Sequence, residues 1–248
     1  MTEVFGQYAD WYDAFNREKN YAAEATYALD LVRRFNPHVR TWLDLGCGSG
    51  NHLVPLRALG LAVEGVDASE QMIARARSRL PGTPLHVARL QELSLAGTRD
   101  AISMLFHVMS YQTTDTMIRD ALSGVAARLA GAGVFVFDFW HTDAILRDPP
   151  TSRTRQALIG DRTLFRISHP VEDRRTRRID VRFEFRWDTP AGKLAHEEVH
   201  AMRHFTQGEM EDFLEQAGLQ VQVCEGWMSH RPLAAADWYG VICATSYN

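Results

Sequence analysis

A short apolar strand that runs into a glycine-rich turn is the feature that most constrains the fold of this 248-residue chain. The strand is TWLDL at 41–45, and glycines follow at positions 46, 48 and 50. Asp67 stands 21 residues after Gly46, at the end of the next predicted strand, 61–69. Glycine permits positive φ and close approach of a ligand, and the helix that follows presents free N–H groups. The segment therefore predicts a parallel sheet with a ligand site at the carboxyl ends of its strands.

Strand and helix patterns alternate over the first part of the chain. The predicted strands are 41–45, 61–69, 85–90, 101–106 and 133–140, and the predicted helices are 21–35, 51–59, 70–80 and 115–129. Such alternation is typical of a parallel sheet with helices on both faces. Two last strands, 219–227 and 238–247, bring the predicted sheet to seven strands. We therefore expect an α/β fold with a doubly wound, mostly parallel, Rossmann-like sheet.

The pattern changes after the fifth strand. Polar and apolar residues alternate in DRTLFRISHP, RIDVRFEFRWD and KLAHEEVHAMRHF, which predicts an antiparallel β insertion. A helix then begins at a Thr206 cap and ends at Gly218. Because no linker or repeat interrupts the chain, we expect one domain in four parts. These are an N-terminal helical cap (1–40), the core (41–140), the insertion (141–204) and a C-terminal segment that completes the sheet (205–248).

Composition excludes several classes of function. The 27 basic and 31 acidic residues give a net charge of −4, which disfavours a generally basic nucleic-acid binder. Three cysteines are too few for a disulfide scaffold or a zinc cage. No run approaches the ~20 apolar residues of a membrane span, and the N-terminus lacks a signal-peptide pattern. We expect a cytoplasmic protein with a small-molecule substrate and neither a nucleic-acid nor a membrane partner.

Arginine dominates the basic residues. Only Lys19 and Lys193 are lysines, so 25 of the 27 basic residues are arginine. Genome composition alone can produce this bias. The alternative is recognition of planar or phosphate oxygens, for which the arginine fork is better suited than lysine.

The turn and Asp67 together indicate the kind of ligand. A carboxylate at the end of the second strand can accept the hydroxyl hydrogens of a ribose. The dinucleotide fingerprint requires a glycine at position 51, where this chain has Asn51. A nicotinamide-dependent oxidoreductase is therefore disfavoured.

The segment LDLGCGSG followed by EGVDASEQMIARAR resembles the class I S-adenosylmethionine-dependent methyltransferases. The resemblance covers about residues 40–140 and implies S-adenosyl-L-methionine as the cofactor. By this resemblance, the backbone around Gly46, Cys47 and Gly48 lines the methionine portion, and Asp67 holds the ribose. The remaining implied cofactor contacts are Ala68 and Met72 beside adenine and the Leu105 backbone at the cofactor ammonium.

One position departs from that family. An acid after the third strand usually accepts the adenine amino group, whereas this chain has Ala88 and Arg89. An arginine cannot accept that hydrogen bond. Arg89 is then expected either to stack on adenine or to point to solvent, leaving the backbone of Leu90 to read the base.

Three further segments suggest a narrower resemblance. YADWYDAF, FDFW and HEEVHAMRHFTQGEMEDFLEQAGL are similar to sugar N,N-dimethyltransferases that act on nucleotide-linked amino sugars. The resemblance implies that Tyr12 contacts the substrate and that Tyr21 contacts the cofactor. It also implies that the insertion shapes the sugar pocket and helps to form a homodimer. Arg231 matches an arginine of those enzymes that is positioned to hold a diphosphate, the alternative being a solvated loop arginine.

Candidate reacting residues lie where the strands end. His107, Tyr111 and His141 are the catalytic candidates and Trp140 is a substrate-contact candidate, with packing or surface roles as the alternatives. Tyr111 stands where the sugar enzymes carry a histidine-type contact. A neutral amine needs in-line positioning and loss of a proton, whereas an alcohol needs a committed base.

Three other sets of residues could have a function, but the sequence gives each of them less support. His196, Glu198 and His200 share one face of a strand, as metal ligands would, but the strand belongs to the insertion and we expect no metal. Cys47 lacks an adjacent base, which disfavours a nucleophile. Arginines 174, 175, 177 and 178 are expected at a solvated hairpin tip, with a nucleotide or partner contact as the alternative.

The resulting hypothesis is methyl transfer from S-adenosylmethionine to nitrogen on a small polar substrate such as a nucleotide-linked amino sugar. One alternative keeps the cofactor and uses another small-molecule nitrogen or oxygen acceptor. The other is a cofactor-binding module without catalysis, which only Arg89 favours.

Overall fold

The computed structural model describes residues 8–189 and 192–247. Its helices are α1 (Ala9–Phe15), α2 (Tyr21–Arg33), α3 (Leu53–Ala58), α4 (Glu70–Arg79), α5 (Asp115–Ala126), α6 (Thr142–Arg147) and α7 (Gln207–Gln216). Its strands are β1 (Thr41–Leu45), β2 (Ala62–Asp67), β3 (Leu85–Val87), β4 (Arg99–Met104), β5 (Leu129–Trp140), β6 (Arg153–Ile159), β7 (Arg162–Asp173), β8 (Arg178–Thr189), β9 (Gly192–Arg203), β10 (Leu219–Gly226) and β11 (Tyr239–Ser246). In the described ranges, no helix is long and apolar enough to span a bilayer.

The larger sheet has seven strands in the order β10-β11-β5-β4-β1-β2-β3. β1 to β5 are parallel, and β11 runs antiparallel to β5. The doubly wound, mostly parallel sheet predicted from the sequence is confirmed. Because the chain runs outward in opposite directions from β1 and from β4, these two strands form the switch point where ligands bind in open α/β sheets.

Both faces of this sheet are covered by helices. In β5, Val134 and Val136 face the layer that includes α2, α3 and α4. Phe135, Phe137 and Phe139 face the layer of α5 and α7. Complete burial of one such side chain contributes about 1.5–3 kcal/mol to the free energy of folding. Packing on both of its faces therefore stabilises β5 between the two helix layers.

The insertion forms a second, antiparallel sheet in the order β6-β7-β8-β9. Its inner face buries Leu164 and Phe185, while its outer face exposes Phe165 and Val199. Helix α1 lies against the inner face, where Tyr8, Trp11 and Phe15 each contact the ring of Phe185. This sheet and α1 together cover the switch point of the larger sheet.

Some element boundaries differ from the sequence predictions. The helix after the glycine turn begins at Leu53, because the chain is still turning at residues 51–52. β3 ends at Val87, and a short 3₁₀ helix follows at Leu90–Glu92. Helix α6 and strand β6 were not predicted from the sequence. β6 is a largely exposed edge strand that depends on pairing with β7 rather than on its own apolar pattern.

The last helix follows the sequence prediction closely. The Thr206 side chain accepts a hydrogen bond from the Glu209 N–H at 3.2 Å, as an N-cap does. Gly218 has φ +75° just beyond the helix end, a conformation that favours glycine.

Candidate active site

A cavity of about 410 Å³ opens at the carboxyl ends of β1, β2 and β4. It lies between the larger sheet on one side and α1 and the insertion on the other. The expected site residues that line it are Tyr12, Tyr21, Gly46, Cys47, Gly48, Asp67, Ala68, Met72, Arg89, Leu90, Leu105, His107, Tyr111 and Trp140.

The glycine turn forms one wall of the cavity. Gly46 has φ +75°, and a Cβ there would lie 2.5 Å from Cγ2 of Val108. Gly48 has φ +54°, and a Cβ there would meet nothing within 4 Å. Gly46 is therefore required for packing as well as conformation, whereas Gly48 leaves open space next to the backbone.

Asp67 links this turn to the next helix. Its carboxylate accepts the N–H of Gly48 at 2.8 Å and the N–H of Ser69 at 2.9 Å. Ser69 in turn caps α4 by accepting the Met72 N–H at 3.2 Å. Burial raises the pKa of Asp67 above its ordinary value, while these backbone hydrogen bonds oppose that rise. The carboxylate is thus held rigidly at the cavity wall.

The N-terminal helix is tied directly to the glycine turn. Asp13 accepts hydrogen bonds from Ser49 Oγ at 2.8 Å and from Asn51 Nδ2 at 3.1 Å, and it forms an ion pair with Arg79. Asn51, which distinguished this turn from a dinucleotide fingerprint, therefore connects the turn to α1. This cluster was not predicted from the sequence.

Tyr12 and Tyr21 face the cavity from this N-terminal segment. Burial raises the pKa of Tyr21 to about 12, so its hydroxyl is neutral near pH 7. His52 contacts the ring of Tyr21 and forms a 2.8 Å contact with Glu24 on α2. The two tyrosines are thus positioned by helices that are fastened to the turn.

Met72, Arg89 and Leu90 also line the cavity, and Arg89 is exposed to solvent. Gln91 also lines the cavity and donates from Nε2 to Gln112 Oε1 at 2.6 Å. The amide nitrogen is occupied in this way, and the same side chain also carries a carbonyl oxygen.

A chain of polar side chains crosses the wall formed by the insertion. The Tyr111 hydroxyl lies 2.8 Å from Nδ1 of His200, and Nε2 of His200 lies 3.4 Å from Glu198. Glu198 also accepts the Tyr8 N–H at 3.0 Å. Burial lowers the pKa of His200, while Glu198 opposes that change. A neutral His200 can therefore accept a proton through Tyr111.

His107 forms a second polar group with Asp138, the acid of FDFW. Nδ1 of His107 lies 2.6 Å from Asp138 Oδ2, and its ring stacks on Tyr239 at 4.5 Å. Burial alone would raise the pKa of Asp138, but the His107 charge and hydrogen bonds hold it below its ordinary value. His107 adopts φ +68°, a strained conformation of the kind that clusters at functional sites.

Trp140 presents a polar atom to the same region. Its Nε1 is buried and has no hydrogen-bond partner among the described residues. Because a buried indole N–H usually finds an acceptor, this donor is suited to a polar group of a ligand.

The structure keeps two of the expected residues away from the cavity. His141 is buried, and its Nδ1 lies 3.1 Å from the Asp237 carbonyl oxygen. Arg231 is exposed and donates two hydrogen bonds to the Asp237 carboxylate, at 2.7 and 2.6 Å. Asp237, in the loop before β11, thus contacts both residues.

His196, Glu198 and His200 do share a face, but Glu198 contacts both histidines and accepts the Tyr8 N–H. His196 Nε2 lies 3.1 Å from Glu198. Within residues 8–189 and 192–247, no group of three His, Cys, Asp or Glu side chains is arranged to hold a metal ion. Cys47 is buried, and burial raises the pKa of its thiol. Arginines 174 to 178 lie at the β7–β8 turn, as expected.

The strand order, the open glycine turn and the carboxylate at the end of β2 define a class I S-adenosylmethionine-dependent methyltransferase. The residues present fit that cofactor. Asp67 would hold its ribose, the open space beside Gly48 would take its methionine portion, and Met72 and Leu90 would lie beside adenine.

Comparisons with known proteins narrow this class. Residues 43–133 match the family model described as a methyltransferase domain. The dTDP-3-amino-3,4,6-trideoxy-alpha-D-glucopyranose N,N-dimethyltransferase of Streptomyces venezuelae is 34% identical over 235 residues, covering 94% of this chain and 98% of that protein. The dTDP-4-amino-2,3,4,6-tetradeoxy-D-glucose N,N-dimethyltransferase of Saccharopolyspora spinosa is 32% identical, with 91% and 90% covered.

Solved structures of similar proteins superpose on this chain over nearly its whole length. Streptomyces venezuelae DesVI superposes with a TM-score of 0.80 at 28% identity, covering 96% of this chain and 98% of that one. CalS10, an amino pentose methyltransferase from Micromonospora echinaspora solved with S-adenosylmethionine bound, gives 0.76 at 27% identity, with 100% and 99% covered. The chain belongs to the family of amino-sugar N,N-dimethyltransferases. The expected enzyme class and cofactor are confirmed, and the hypotheses of an inert module and of an oxidoreductase lose support.

Arg89 provides a direct test of the adenine end. Replacing Arg89 with Asp supplies the carboxylate that the family usually places there. Because a hydrogen bond to a charged acceptor contributes about 1.5 kcal/mol, S-adenosylhomocysteine is expected to bind roughly tenfold more tightly. Calorimetric titration measures this. Arg89→Gln is the control for loss of charge alone, and equal affinity of the Asp and Gln variants would contradict the prediction.

Proposed function

We propose that this enzyme transfers methyl groups from S-adenosylmethionine to the amine of a nucleotide-linked amino sugar. The relatives named above act on dTDP-linked amino sugars, and they match this chain over nearly its full length. The observation that carries the proposal is the Tyr111–His200–Glu198 chain, which brings a proton acceptor to the wall of the cavity opposite the glycine turn.

In the proposed reaction, different residues position the amine and accept its proton. When bound, S-adenosylmethionine supplies a methyl group already activated by the positive sulfur. The amine lone pair forms the new N–C bond as the C–S bond breaks, and the amine must give up one proton. Tyr111 Oη accepts that proton while its own hydroxyl proton passes to His200 Nδ1. Glu198 stabilises the resulting imidazolium, as the acid does in a catalytic triad.

His107 and Trp140 fit roles in holding the acceptor. His107 is fixed by Asp138 and Tyr239, so its ring forms a rigid wall of the cavity. The Trp140 indole N–H offers a donor to a hydroxyl or phosphate oxygen of the substrate. Correct alignment of the amine lowers the activation free energy by several kcal/mol. Such positioning therefore matters as much as the proton acceptor.

The experiment that tests the function is a two-stage calorimetric titration followed by turnover. S-adenosylhomocysteine is expected to bind with micromolar affinity, and thymidine diphosphate is then expected to bind the resulting complex. Incubation with S-adenosylmethionine and a dTDP-linked amino sugar should raise the product mass by one and then two methyl groups. Binding of S-adenosylhomocysteine without binding or methylation of any nucleotide-linked amine would sink the proposal.

We further propose that the enzyme is a homodimer and that it is located in the cytoplasm. The outer face of the insertion exposes an apolar stripe, with Leu158 59% and Val171 68% exposed and Phe165 between them along the sheet. Such a stripe fits a homodimer formed through the insertion. Cys47, Cys224 and Cys243 are unpaired, in keeping with a reducing, cytoplasmic compartment.

Phe165→Glu tests the homodimer. A charge in the middle of the apolar stripe is expected to convert a dimer into a monomer, which halves the molar mass measured by light scattering. Val54→Glu is the matched control, because Val54 is an exposed apolar residue on α3, outside the insertion. A wild-type chain that is already monomeric would refute this part of the proposal.

A further inference from the structure

Two polar atoms of the cavity wall are left without a partner by the described part of the chain. Nε1 of Trp140 is buried and has no hydrogen-bond partner there. The one polar contact of the His107 ring in the described ranges is made by Nδ1, with Asp138, which leaves Nε2 available. Arg166, which lines the same cavity, is by contrast engaged, because it donates a hydrogen bond to the Tyr8 hydroxyl.

Asp138 holds His107 by both its backbone and its side chain. The two carboxylate oxygens accept the His107 N–H at 3.1 and 3.0 Å, and Nδ1 lies 2.6 Å from Oδ2. Phe106 and His107 have φ of +64° and +68°, a conformation that is costly for residues other than glycine. The ring of Tyr239 stacks on the imidazole at 4.5 Å. The position of Nε2 is therefore fixed by the surrounding residues.

The two unpartnered atoms offer one acceptor and one donor. A carboxylate only accepts, so the imidazole proton faces Asp138 on Nδ1, and Nε2 of the neutral ring is an acceptor. The Nε1–H of Trp140 can only donate. The centroids of the His107 and Trp140 rings lie 6.0 Å apart. A hydroxyl both donates and accepts, so one hydroxyl between the rings can pair with both atoms, whereas a fully methylated neutral amine has no N–H to donate.

Both side chains are attached to the turn that carries Tyr111. The Ser110 N–H donates to the His107 carbonyl oxygen at 2.9 Å, which closes a tight turn between His107 and Tyr111. The backbone N–H of Trp140 donates to Ser110 Oγ at 3.0 Å. Because Tyr111 accepts the amine proton in the proposed reaction, a hydroxyl between His107 and Trp140 would lie on a carbon next to the one that carries the amine.

We propose that His107 and Trp140 select methyl acceptors that carry a hydroxyl beside the reacting amine. This inference rests on the proposed function and adds the part of the sugar that the site recognises. The hydroxyl donates to Nε2 of His107 and accepts from Nε1 of Trp140, and Asp138 is the positioning residue. An acceptor without this hydroxyl leaves both protein groups unpaired, and a site built to bind a hydroxyl strongly rejects analogues that lack it.

The test compares two acceptors in one reaction mixture. The first is dTDP-3-amino-3,6-dideoxy-alpha-D-glucopyranose, in which the amine stands between two hydroxyl-bearing carbons. The second is the analogue without these two hydroxyls. Mass spectrometry of equimolar mixtures gives the ratio of the two kcat/KM values from the methylated products. For the wild type, we expect this ratio to favour the hydroxylated acceptor by at least about thirtyfold.

His107→Leu removes the acceptor atom. Its ratio is expected to fall to within about threefold of one, mainly through slower methylation of the hydroxylated acceptor. His107→Gln keeps an acceptor and should retain part of the selection. General damage to the fold would slow both reactions and leave the ratio unchanged, and unchanged affinity for S-adenosylhomocysteine will report that the cofactor half of the cavity is intact.

Trp140→Phe removes the donor and keeps an aromatic ring, so it tests the other half of the pair with little change of shape. Its ratio is also expected to fall. Trp238→Phe is the matched control, because the Trp238 ring lies 6.2 Å from that of Trp140 but does not line the cavity. This control should keep the wild-type ratio.

The outcomes separate this inference from the proposed function. If the wild type methylates both acceptors with the same kcat/KM, the selection is overturned and the proposed function stands. If the wild type selects the hydroxylated acceptor but His107→Leu and Trp140→Phe keep its ratio, these two residues do not read the hydroxyl. A wild type that binds S-adenosylhomocysteine and methylates neither acceptor overturns the selection and counts against the proposed function as well.

Discussion

Replacing Tyr111 with Phe is expected to lower kcat about 100-fold, because the amine proton loses its path to His200. The substitution removes one hydroxyl and leaves the ring that lines the cavity. Affinity for S-adenosylhomocysteine should therefore stay within about twofold, so the loss falls on the chemical step rather than on cofactor binding. Steady-state kinetics with mass-spectrometric detection of the methylated product measure it.

The pH dependence of kcat gives a second readout of the same group. Burial lowers the pKa of His200 below its ordinary value near 6.5, so the residue stays neutral and able to accept a proton down to lower pH. The acid limb of the wild-type profile is therefore expected below pH 6.5, and His200→Gln should remove the contribution of this group.

Tyr27→Phe is the matched control for Tyr111→Phe. Tyr27 is buried and hydrogen-bonded to Glu225, but it lies outside the cavity lining. Its loss should leave kcat unchanged even if stability falls. A Tyr111→Phe enzyme with full kcat would mean that the amine loses its proton directly to water.

Replacing Asp67 with Asn is expected to weaken S-adenosylhomocysteine binding about 100-fold. The carboxylate accepts the Gly48 and Ser69 N–H groups and has lone pairs left for the ribose hydroxyls. The Asn side chain has an NH₂ donor in place of one carboxylate oxygen, so one of these hydrogen bonds is lost. Each hydrogen bond to a charged group contributes about 1.5–3 kcal/mol to the binding free energy. Calorimetry of wild type and variant measures the change in Kd.

The same carboxylate should make cofactor affinity depend on pH. Because the pKa of Asp67 is raised by burial, protonation begins at a higher pH than for an ordinary aspartate, and affinity is expected to fall as the pH is lowered through that range. Asp120→Asn, on the exposed face of α5, is the control and should show wild-type affinity at every pH. An Asp67→Asn variant that binds as tightly as the wild type, with an unchanged melting temperature, would exclude Asp67 from ribose binding.

The cofactor half of the cavity was largely predictable from local sequence. Gly46, Gly48, Asp67 and Met72 all lie within 27 residues of one another, on one strand–turn–helix unit and the strand and helix that follow it. In a parallel sheet this geometry is the same wherever the unit occurs, so residue spacing alone places these groups at one edge. Residues from the N-terminal segment were predicted only through family resemblance, and Asp13 was missed because its partners become neighbours only after folding.

The acceptor half depended on contacts between distant segments. Tyr111 and His200 are 89 residues apart in the chain, and the sequence pattern suggested His200 only as a metal ligand. Arg166 and Asp138 were not identified as site residues, since an arginine in an alternating strand and an acid in a buried strand carry no local signal of function. His141 and Arg231 were chosen by position in the sequence, and the loop before β11 places both beside Asp237 instead.

By itself, the sequence determined the alternation of strands and helices, the glycine turn and the carboxylate that follows it, because these features are set by interactions between near neighbours. It also determined that His196, Glu198 and His200 share a face, since side chains alternate along any strand. Which face of the insertion covers the cavity was decided only by the tertiary structure. The pairing of Val181 with His200 sets that choice, and a register shift of one residue would turn His200 outward and remove the proton acceptor from the site.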